Sequence, residues 1–186
     1  MNSFEEEKEL IYLLKSKDLD GFRKIVEVYQ EKLLKFILSR ISNFSEAEDL
    51  LQESFFKIWK NADFFDEKKS TLKTWVYSIT KNTITDFLRK RKLNILSFGN
   101  LLKLQGKGKI DGSVFENEES LVKEERDLFE ALKRLKGDER EIIHLRYFSE
   151  LSIKEISEVL KMNENTVKTK IKRALEKMKV ILEDEA

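Results

Sequence analysis

The chain has 186 residues and a nearly balanced charge, since 36 basic and 35 acidic residues give a net charge of +1. It contains no cysteine and a single histidine, His144, which excludes disulfide scaffolds, cysteine-ligated metal sites and pairs of catalytic imidazoles. Because the apolar runs are short and the N-terminus lacks the pattern of a signal peptide, we expect a cytoplasmic protein with no membrane insertion.

The near-neutral total hides two basic segments. Residues 21–95 carry five more basic than acidic residues, and the cluster Arg89-Lys90-Arg91-Lys92 lies near their end. Residues 168–179 contain six basic residues and one acidic residue. Two basic clusters at two helix-like positions indicate two contacts with a polyanion, although each cluster alone is equally consistent with a solvated helix face.

The first half of the chain has the pattern of a helical bundle. Ser3-Phe4-Glu5-Glu6 and Ser45-Glu46-Ala47-Glu48 fit the capping box and predict helix starts at both serines. Between them, apolar residues three and four apart predict one helix over about residues 18–42. The helix that Ser45 opens is predicted to end near Ala62.

A further helix is predicted over residues 72–92, after a loop at residues 63–70. Its apolar stripe includes Trp75, which we therefore assign to the core, whereas Tyr77 lies off the stripe and stays ambiguous. No segment shows the strict alternation of apolar and polar residues that is typical of a strand.

Glycines mark a boundary between two halves of the chain. Four of the six glycines lie within residues 93–117, which we predict to be a flexible linker. Fully extended, its roughly 25 residues span roughly 80 to 90 Å. Apolar residues occur along this segment, so it either binds along the surface of a partner or packs against its own domains.

The second half is also predicted to be helical. Regularly spaced leucines predict a helix from Leu121 to Leu135, which Gly137 closes. Asp138, with Glu141 three residues later, predicts the start of the next helix.

The last two predicted helices form a helix-turn-helix pattern. A short helix over residues 152–160 is followed by the turn Lys161-Met162-Asn163 and then by a long, strongly basic helix, for which Asn163 is the predicted N-cap. The pattern alone is weak evidence, because any two packed helices can imitate it.

Three motifs together resemble a known family. The first motif is Ala47-Glu48-Asp49-Leu50-Leu51-Gln52-Glu53-Ser54-Phe55, and the second is Thr74-Trp75-Val76-Tyr77-Ser78-Ile79-Thr80-Lys81-Asn82 together with Asp86-Phe87-Leu88-Arg89-Lys90-Arg91. The third motif has three parts: Leu145-Arg146-Tyr147, Leu151-Ser152-Ile153-Lys154-Glu155-Ile156-Ser157-Glu158-Val159-Leu160 and Thr166-Val167-Lys168-Thr169-Lys170. In this order they are similar to regions 2.2, 2.3–2.4 and 4 of the extracytoplasmic-function (ECF) group of bacterial sigma factors, in the sigma-70 superfamily.

The resemblance covers residues 22–92 and 128–179. It implies an all-α fold of two small helical domains: a region 2 helical bundle over residues 1–92 and a region 4 helix-turn-helix domain over residues 118–186, joined by the flexible linker over 93–117. It also implies an RNA polymerase sigma factor, which binds core RNA polymerase and directs promoter recognition and DNA opening for transcription initiation.

By this resemblance, polymerase docking involves Asp49, Gln52 and Glu53. These residues are spaced i, i+3 and i+4, so their polar groups share one helix face. Without the motif match the same residues would read as an ordinary exposed acidic face. An anti-sigma factor is a common partner in the family and is therefore a further candidate partner of this chain.

The resemblance also places the contacts with the minus-ten promoter element in region 2. Trapping a flipped base costs a few kcal/mol of unstacking, which aromatic stacking at roughly 1–3 kcal/mol per base and hydrogen bonds to the base edge can offset. The residues implied in base capture are Phe64, Phe65 and Asn82, and those implied in holding phosphates are Lys81, Arg89, Lys90 and Arg91.

The last helix is expected to enter the major groove of the minus-thirty-five element. The residues implied in this contact are Glu164, Asn165, Thr166, Lys168, Thr169, Lys170, Lys172 and Arg173. Two positions depart from the family pattern, since Lys161 stands where glycine is usual and Ser157 where alanine is usual. A lysine in a left-handed turn costs about 1 kcal/mol. It also affects the geometry of the turn and therefore the register in which the recognition helix reads DNA.

Two other classes of function fit the sequence less well. A regulator that binds DNA alone through the helix-turn-helix would have no polymerase-docking face, and the cluster of Asp49, Gln52 and Glu53 argues against it. A nucleic-acid enzyme is disfavoured because the sequence has no glycine-rich phosphate loop and no metal-ligand cluster. We therefore expect no enzymatic activity, no catalytic residue, no metal and no cofactor, and we interpret His144 as a packing or surface residue.

Overall fold

The computed structural model describes residues 3–99 and 123–184, and the regular elements in these two ranges are all helical. In chain order they are α1 (Ser3–Lys15), α2 (Leu19–Leu38), α3 (Phe44–Lys60), a 3-10 turn (Ala62–Phe64), α4 (Leu72–Gly99), α5 (Lys123–Arg134), α6 (Gly137–Ile143), a π-helical turn (His144–Phe148), α7 (Ile153–Leu160) and α8 (Glu164–Asp184). The all-α prediction is confirmed. Among these helices, none has the length and apolar character needed to cross a membrane.

The first four helices pack around a shared apolar core. Helix α2 contacts α1, α3 and α4, and its predicted stripe is the buried face, with Ile25, Leu33 and Phe36 completely buried. Burying one such side chain stabilises the fold by roughly 1.5–3 kcal/mol. Helices α1 and α2 approach so closely that a Cβ atom added to Gly21 would lie 2.5 Å from the Cβ of Leu13, so this crossing requires glycine.

The helix starts in this half follow capping chemistry, but not always at the predicted residue. Helix α1 is described from Ser3, the first described residue, so the predicted start at Ser3 stays a prediction. Helix α3 begins at Phe44, and its cap is Asn43, whose Oδ1 accepts the Glu46 N–H at 2.8 Å. The predicted capping box at Ser45 is therefore wrong, and the cap lies two residues earlier, because an asparagine cap is as favourable as a serine cap and Asn43 precedes the first apolar residue of the helix.

Helix α4 is longer than the sequence predicted. It continues to Gly99, seven residues beyond the predicted end at Lys92. The predicted end assumed that the linker begins at residue 93, yet no proline interrupts the chain and the first glycine after the helix start is Gly99. The rest of the predicted linker, residues 100–117, and the predicted helix start at Leu121 lie outside the described residues.

The second half contains two features that the apolar pattern did not predict. Gly137 opens α6 instead of closing the preceding helix, and the predicted start at Asp138 is replaced by a cap at Lys136, whose N–H donates to Glu139 Oε2 at 3.0 Å. Helix α6 then passes into the π-helical turn, where the Ser149 N–H donates to the carbonyl oxygen of His144 at 2.9 Å.

Helices α7 and α8 confirm the predicted helix-turn-helix. Ser152 caps α7, since its Oγ accepts the Glu155 N–H at 3.2 Å and its own N–H donates to Glu155 Oε2 at 2.8 Å. The predicted N-cap of the last helix is also confirmed, because Asn163 Oδ1 accepts the Asn165 N–H at 2.8 Å.

The turn between α7 and α8 explains both departures from the family pattern. Lys161 adopts φ 52° and ψ 48°, the left-handed conformation that favours glycine. The hydroxyl of Ser157 donates to the carbonyl oxygen of Met162 at 2.6 Å, a bond that alanine could not make. The extra hydrogen bond at Ser157 fixes a turn that lacks the usual glycine.

Candidate protein and nucleic-acid interfaces

One face of α3 carries the residues predicted for protein docking. Asp49, Gln52 and Glu53 are all exposed, while the opposite face is buried through Leu50, Phe55 and other apolar residues. Glu53 also forms an ion pair with Lys57 of the same helix at 2.7 Å. The structure therefore presents the three predicted residues together on the solvent side of a firmly packed helix.

Sequence reasoning missed an aromatic residue on this face. Phe56 is 64% exposed and lies seven residues after Asp49, four after Gln52 and three after Glu53. Residues at these spacings share one side of a helix. The sequence did carry a signal for this residue, because Phe56 falls outside the apolar stripe of α3. A large apolar side chain off that stripe is expected to be exposed.

Helix α4 carries an exposed polar stripe. Asn82, Thr85, Arg89 and Lys92 recur at spacings of three and four, and all four are exposed. The predicted residues Asn82 and Arg89 are thereby brought onto one face, and Thr85 and Lys92 extend it. An amide flanked by cations on one helix face can hydrogen-bond a base edge and hold the neighbouring phosphates.

The remaining basic residues predicted on α4 differ in their surroundings. Lys90 and Arg91 are exposed, whereas Lys81 is half-buried. Arg89 pairs with Asp86 at 3.0 Å, and Arg91 reaches across to Glu46 of α3 at 3.2 Å. Such exposed pairs contribute only up to about 1 kcal/mol, so phosphate groups can replace these carboxylates at little cost.

The two phenylalanines predicted to capture a base are placed in different environments. Phe64 is 80% exposed at the end of the 3-10 turn, where its ring is accessible. Phe65 is only 3% exposed, and its ring lies 5.2 Å from that of Trp75. The structure thus does not offer Phe65 to a base, because the ring fills the core beside Trp75, the residue correctly assigned to packing.

The exposed side of α8 carries the residues predicted for DNA reading. Val167, Ile171, Ala174 and Met178 are buried against the rest of the domain. The predicted contacts lie on the opposite side, all of them exposed except the half-buried Lys170: Glu164, Asn165, Thr166, Lys168, Thr169, Lys170, Lys172 and Arg173. The first turns of α8 therefore project polar and basic groups as a recognition helix requires.

Internal ion pairs divide the basic residues of α8 into two groups. Lys170 donates to Asp138 Oδ2 at 3.3 Å, and Lys172 lies 3.8 Å from Glu176. Partial burial by itself would raise the pKa of Asp138, but the hydrogen bond and charge of Lys170 outweigh burial and hold that pKa below its ordinary value. Lys168 and Arg173 make no ion pair within the described part of the chain.

The single histidine belongs to the core. His144 is 8% exposed, and its ring stacks on Phe148 at 5.3 Å. Of the two predicted roles, packing or surface, the structure thus assigns packing to His144. Within residues 3–99 and 123–184 no group of three or more His, Asp or Glu residues is arranged to hold a metal ion.

Comparison with known proteins identifies the family of the chain. Residues 25–93 match the Sigma-70 region 2 family, and residues 125–178 match the Sigma-70, region 4 family. The ECF RNA polymerase sigma factor SigW of Bacillus subtilis (strain 168) is 31% identical over 182 residues, covering 95% of this chain and 97% of SigW. The RNA polymerase sigma factor SigV of the same organism is 32% identical over 157 residues, covering 84% of this chain and 88% of SigV.

Solved structures share the fold. CnrH, in complex with the cytosolic domain of CnrY, aligns with a TM-score of 0.67 at 20% identity, over 97% of this chain and 99% of CnrH. The sigma factor RpoE, in complex with the anti-sigma factor NepR from Bartonella quintana, aligns with a TM-score of 0.68 at 24% identity, over 89% of this chain and 98% of RpoE. With both family regions present in order and SigW similar along nearly the whole chain, this protein belongs to the ECF group of RNA polymerase sigma factors, which act in transcription initiation.

Proposed function

We propose that this sigma factor binds core RNA polymerase through α3, reads the minus-ten element with α4 and the 3-10 turn, and reads the minus-thirty-five element with α8. The observation that carries the proposal is the separation of three exposed surfaces on one chain: an acidic face with an aromatic residue, a polar and basic stripe, and a recognition helix. Its action is binding rather than catalysis, and its place is the cytoplasm, where promoter DNA and polymerase meet.

The docking surface on α3 combines charge with an apolar anchor. Asp49, Gln52 and Glu53 offer acceptors to basic side chains of a partner, and Phe56 offers a ring whose burial would contribute roughly 1.5–3 kcal/mol. Central aromatic residues surrounded by polar groups are typical of protein interfaces. A basic surface of the polymerase with an apolar recess is therefore the complementary partner.

The minus-ten contact is assigned to Phe64 and to the stripe of α4. The exposed ring of Phe64 can stack on an unpaired base, and Asn82 can donate to and accept from a base edge. Arg89, Lys90 and Arg91 can then hold the phosphates on either side. Stacking and hydrogen bonding together can offset the few kcal/mol needed to unstack one base.

The minus-thirty-five contact is assigned to the first turns of α8. Glu164 can accept a hydrogen bond from cytosine, and Asn165 can form two hydrogen bonds with adenine. Lys168 and Arg173, which carry no internal ion pair in the described residues, are suited to phosphates or guanine. We assign the helices from α1 to α4 to region 2 and those from α5 to α8 to region 4, with the linker between Gly99 and Lys123.

An anti-sigma factor is a further partner that we propose for this chain. The sigma factor RpoE, which shares its fold, is in complex with the anti-sigma factor NepR, and CnrH, which also shares the fold, is in complex with the cytosolic domain of CnrY. A protein that covers the α3 face or separates it from polymerase would hold this sigma factor inactive.

Comparing DNA binding with and without polymerase separates this function from that of a stand-alone DNA-binding regulator. Core polymerase should be titrated into fluorescent promoter DNA with and without the chain, alongside the chain alone. We expect specific binding only when both proteins are present. Specific binding by the chain alone, unchanged by core polymerase, would favour the regulator instead.

A further inference from the structure

The exposed ring of Phe64 stands between two buried residues of the 3-10 turn. The N–H of Phe64 donates to the carbonyl oxygen of Asn61 at 3.0 Å, and the N–H of Phe65 donates to that of Ala62 at 3.1 Å. Ala62 and Phe65 are buried, whereas Phe64 is 80% exposed. Because hydrogen bonds in a 3-10 turn have poor geometry, the position of the ring depends on how the turn is fastened to the helices around it.

Two lysines at the end of the first helix contact the turn on either side of Phe64. Lys15 is the last residue of α1, and Lys17 lies in the turn between α1 and α2. Lys17 Nζ lies 3.2 Å from Oδ2 of Asp63, the residue before Phe64. Lys15 Nζ lies 5.7 Å from the ring centroid of Phe65, the residue after it, and an ammonium over a ring at this distance is attracted to the ring. Both chain neighbours of Phe64 are thus held by a cation from one short segment.

Lys17 makes the larger share of these contacts. Besides Asp63, its ammonium donates to the carbonyl oxygen of Trp59 at 3.1 Å and lies 5.8 Å from the centroid of the Trp59 ring. An ammonium has three donors, so it can hold a carbonyl and a carboxylate at the same time. This one side chain therefore joins the last turn of α3 to the 3-10 turn that follows it.

The backbone of Lys17 is in a conformation that favours glycine. Its φ is 55°, in the left-handed region. A glycine would fit this turn more easily, but it could not contact Asp63 or Trp59. Residues in such conformations cluster at functional sites. The chain therefore has a less favourable backbone at the position whose side chain reaches the turn of Phe64.

Helix α1 also fastens the start of α4, the helix that carries Asn82. The N–H of Leu72 donates to Glu7 Oε1 at 2.9 Å. Glu7, Lys15 and Lys17 all precede residue 25, where the match to the Sigma-70 region 2 family begins. A segment outside that match thus contacts both parts of the chain to which the minus-ten contact is assigned.

We propose that Lys17 is a positioning residue for base capture, which fixes the ring of Phe64 relative to Asn82 and thereby sets the choice of base. The inference rests on the proposed minus-ten contact of Phe64 and Asn82. Stacking by itself tolerates every base, whereas an amide reads the edge of one base. Discrimination therefore requires the ring and the amide at a fixed separation, which the contacts of Lys17 maintain.

Selection from random single-stranded DNA tests this role. Core polymerase assembled with the chain is incubated with the library, and the bound molecules are sequenced. We expect a motif in which one base is enriched at least tenfold at one position, and Phe64→Ala identifies the position that depends on the ring. Lys17→Met should lower the enrichment there at least fivefold and leave the other positions within twofold, whereas Lys17→Arg, which keeps a cationic donor, should restore it.

Two further variants separate positioning from a general loss of charge or of stability. Lys32→Met, the same change at an exposed position of α2, should leave the motif unchanged. Lys17→Gly removes the ammonium and relieves the left-handed backbone, so its urea unfolding midpoint should lie above that of Lys17→Met while its enrichment falls equally.

Three results would overturn the role of Lys17: unchanged enrichment in Lys17→Met, a loss spread evenly over all positions of the motif, or enrichment that follows the unfolding midpoint. If Phe64→Ala altered no position of the motif, the minus-ten contact assigned to Phe64 would itself be wrong, and the role of Lys17 would be overturned with it.

Discussion

At the scale of single residues, burial decides which predicted groups can act. Phe64 and Phe65 are neighbours of the same type, yet one ring is 80% exposed and the other 3% exposed. A sequence pattern gives the residue type and its helical phase, but in the short 3-10 turn there is no sustained phase to follow. The placement of Phe65 in the core therefore could not be predicted.

The docking face on α3 leads to a prediction for its acidic residues and for its exposed aromatic residue. The double substitution Asp49→Lys/Glu53→Lys and the single substitution Phe56→Ala should each weaken core polymerase binding at least tenfold, because one reverses the charge and the other removes the apolar anchor. Fluorescence titration of labelled protein with core polymerase measures the affinity. Because these side chains are exposed, the circular dichroism spectrum should not change, and loss of the Glu53–Lys57 ion pair should lower stability by no more than about 1 kcal/mol.

A matched control for the charge reversal is Glu27→Lys, at an exposed position of α2 away from this face. Its polymerase affinity should stay within twofold of that of the original chain. Equal polymerase affinities for the original chain, the two docking-face variants and this control would show that α3 is not the docking site.

Asn82 is expected to act in DNA opening rather than in first contact. The substitution Asn82→Ala removes the amide that we propose hydrogen-bonds a captured base, so open complexes should fall at least fivefold while closed complexes change little. Permanganate reactivity of unpaired thymines measures opening, and filter binding measures total binding. Gln30→Ala, which removes another exposed amide, is the control; a parallel loss in both assays would assign Asn82 to general DNA binding.

His144 gives the fold a dependence on pH. Burial lowers its pKa from 6.5 to about 4, with a smaller contribution from the charge of Lys35. The unfolded chain therefore binds a proton near pH 6.5 and the folded chain only near pH 4, so stability falls as the pH drops between these values. From pH 7.5 to pH 5 the loss attributable to His144 is about 2 kcal/mol.

Urea unfolding at pH 7.5 and at pH 5 measures this loss. The variant His144→Gln cannot titrate, so its free energy of unfolding should fall by about 2 kcal/mol less than that of the original chain over the same interval. Glu141 acts in the opposite direction, since burial raises its pKa and favours proton uptake by the folded state. Comparing the two proteins cancels that contribution, and equal pH dependence would exclude His144 as the source.

At the scale of elements, capping chemistry located some helix ends and misplaced others. Asn163 caps α8 as predicted, and Ser152, predicted as the first residue of the short helix, is the cap of α7. Before α3 the sequence offers two candidate caps, Asn43 and Ser45, and the side chain of Asn43 makes the capping hydrogen bond. The π-helical turn was beyond prediction, since apolar spacing reports which side of a helix is buried and not which carbonyl each N–H binds.

The left-handed turn between α7 and α8 provides a stability test. Lys161→Gly should raise the free energy of unfolding by about 1 kcal/mol, because glycine adopts φ 52° without the cost of a Cβ. The matched change Lys154→Gly, at an exposed position within α7, should lower it by about 1 kcal/mol. Urea unfolding measures the free energy of unfolding of both variants. A loss of stability in both would contradict the role of Lys161 in the left-handed turn.

At the scale of the whole molecule, the contact between the two regions was hidden from the sequence. Tyr77 lies off the apolar stripe of α4, and it is buried because α4 packs against α7 and because its ring meets that of Phe36 of α2. An apolar pattern identifies buried faces, but it does not say whether the covering surface comes from the same region or from the other. The two regions and their order could be predicted, whereas the packing of one against the other required the structure.

The balanced total charge also acquires a meaning at this scale. Acidic residues on α3 and basic residues on α4 and α8 belong to separate surfaces, so the small net charge reflects a division of tasks. When a chain with little overall positive charge binds DNA without a partner, counterion release contributes little to its affinity. Polymerase is therefore expected to supply much of the affinity for promoter DNA.

Reconstituted run-off transcription tests the central claim most directly. Purified core polymerase should be combined with the chain on a library of promoter fragments from its own genome, with core polymerase alone and the Asp49→Lys/Glu53→Lys variant as controls. We expect discrete transcripts from a subset of fragments that appear only with the original chain. Absence of chain-dependent transcripts across the library would contradict the assignment of this protein as a promoter-recognising sigma factor.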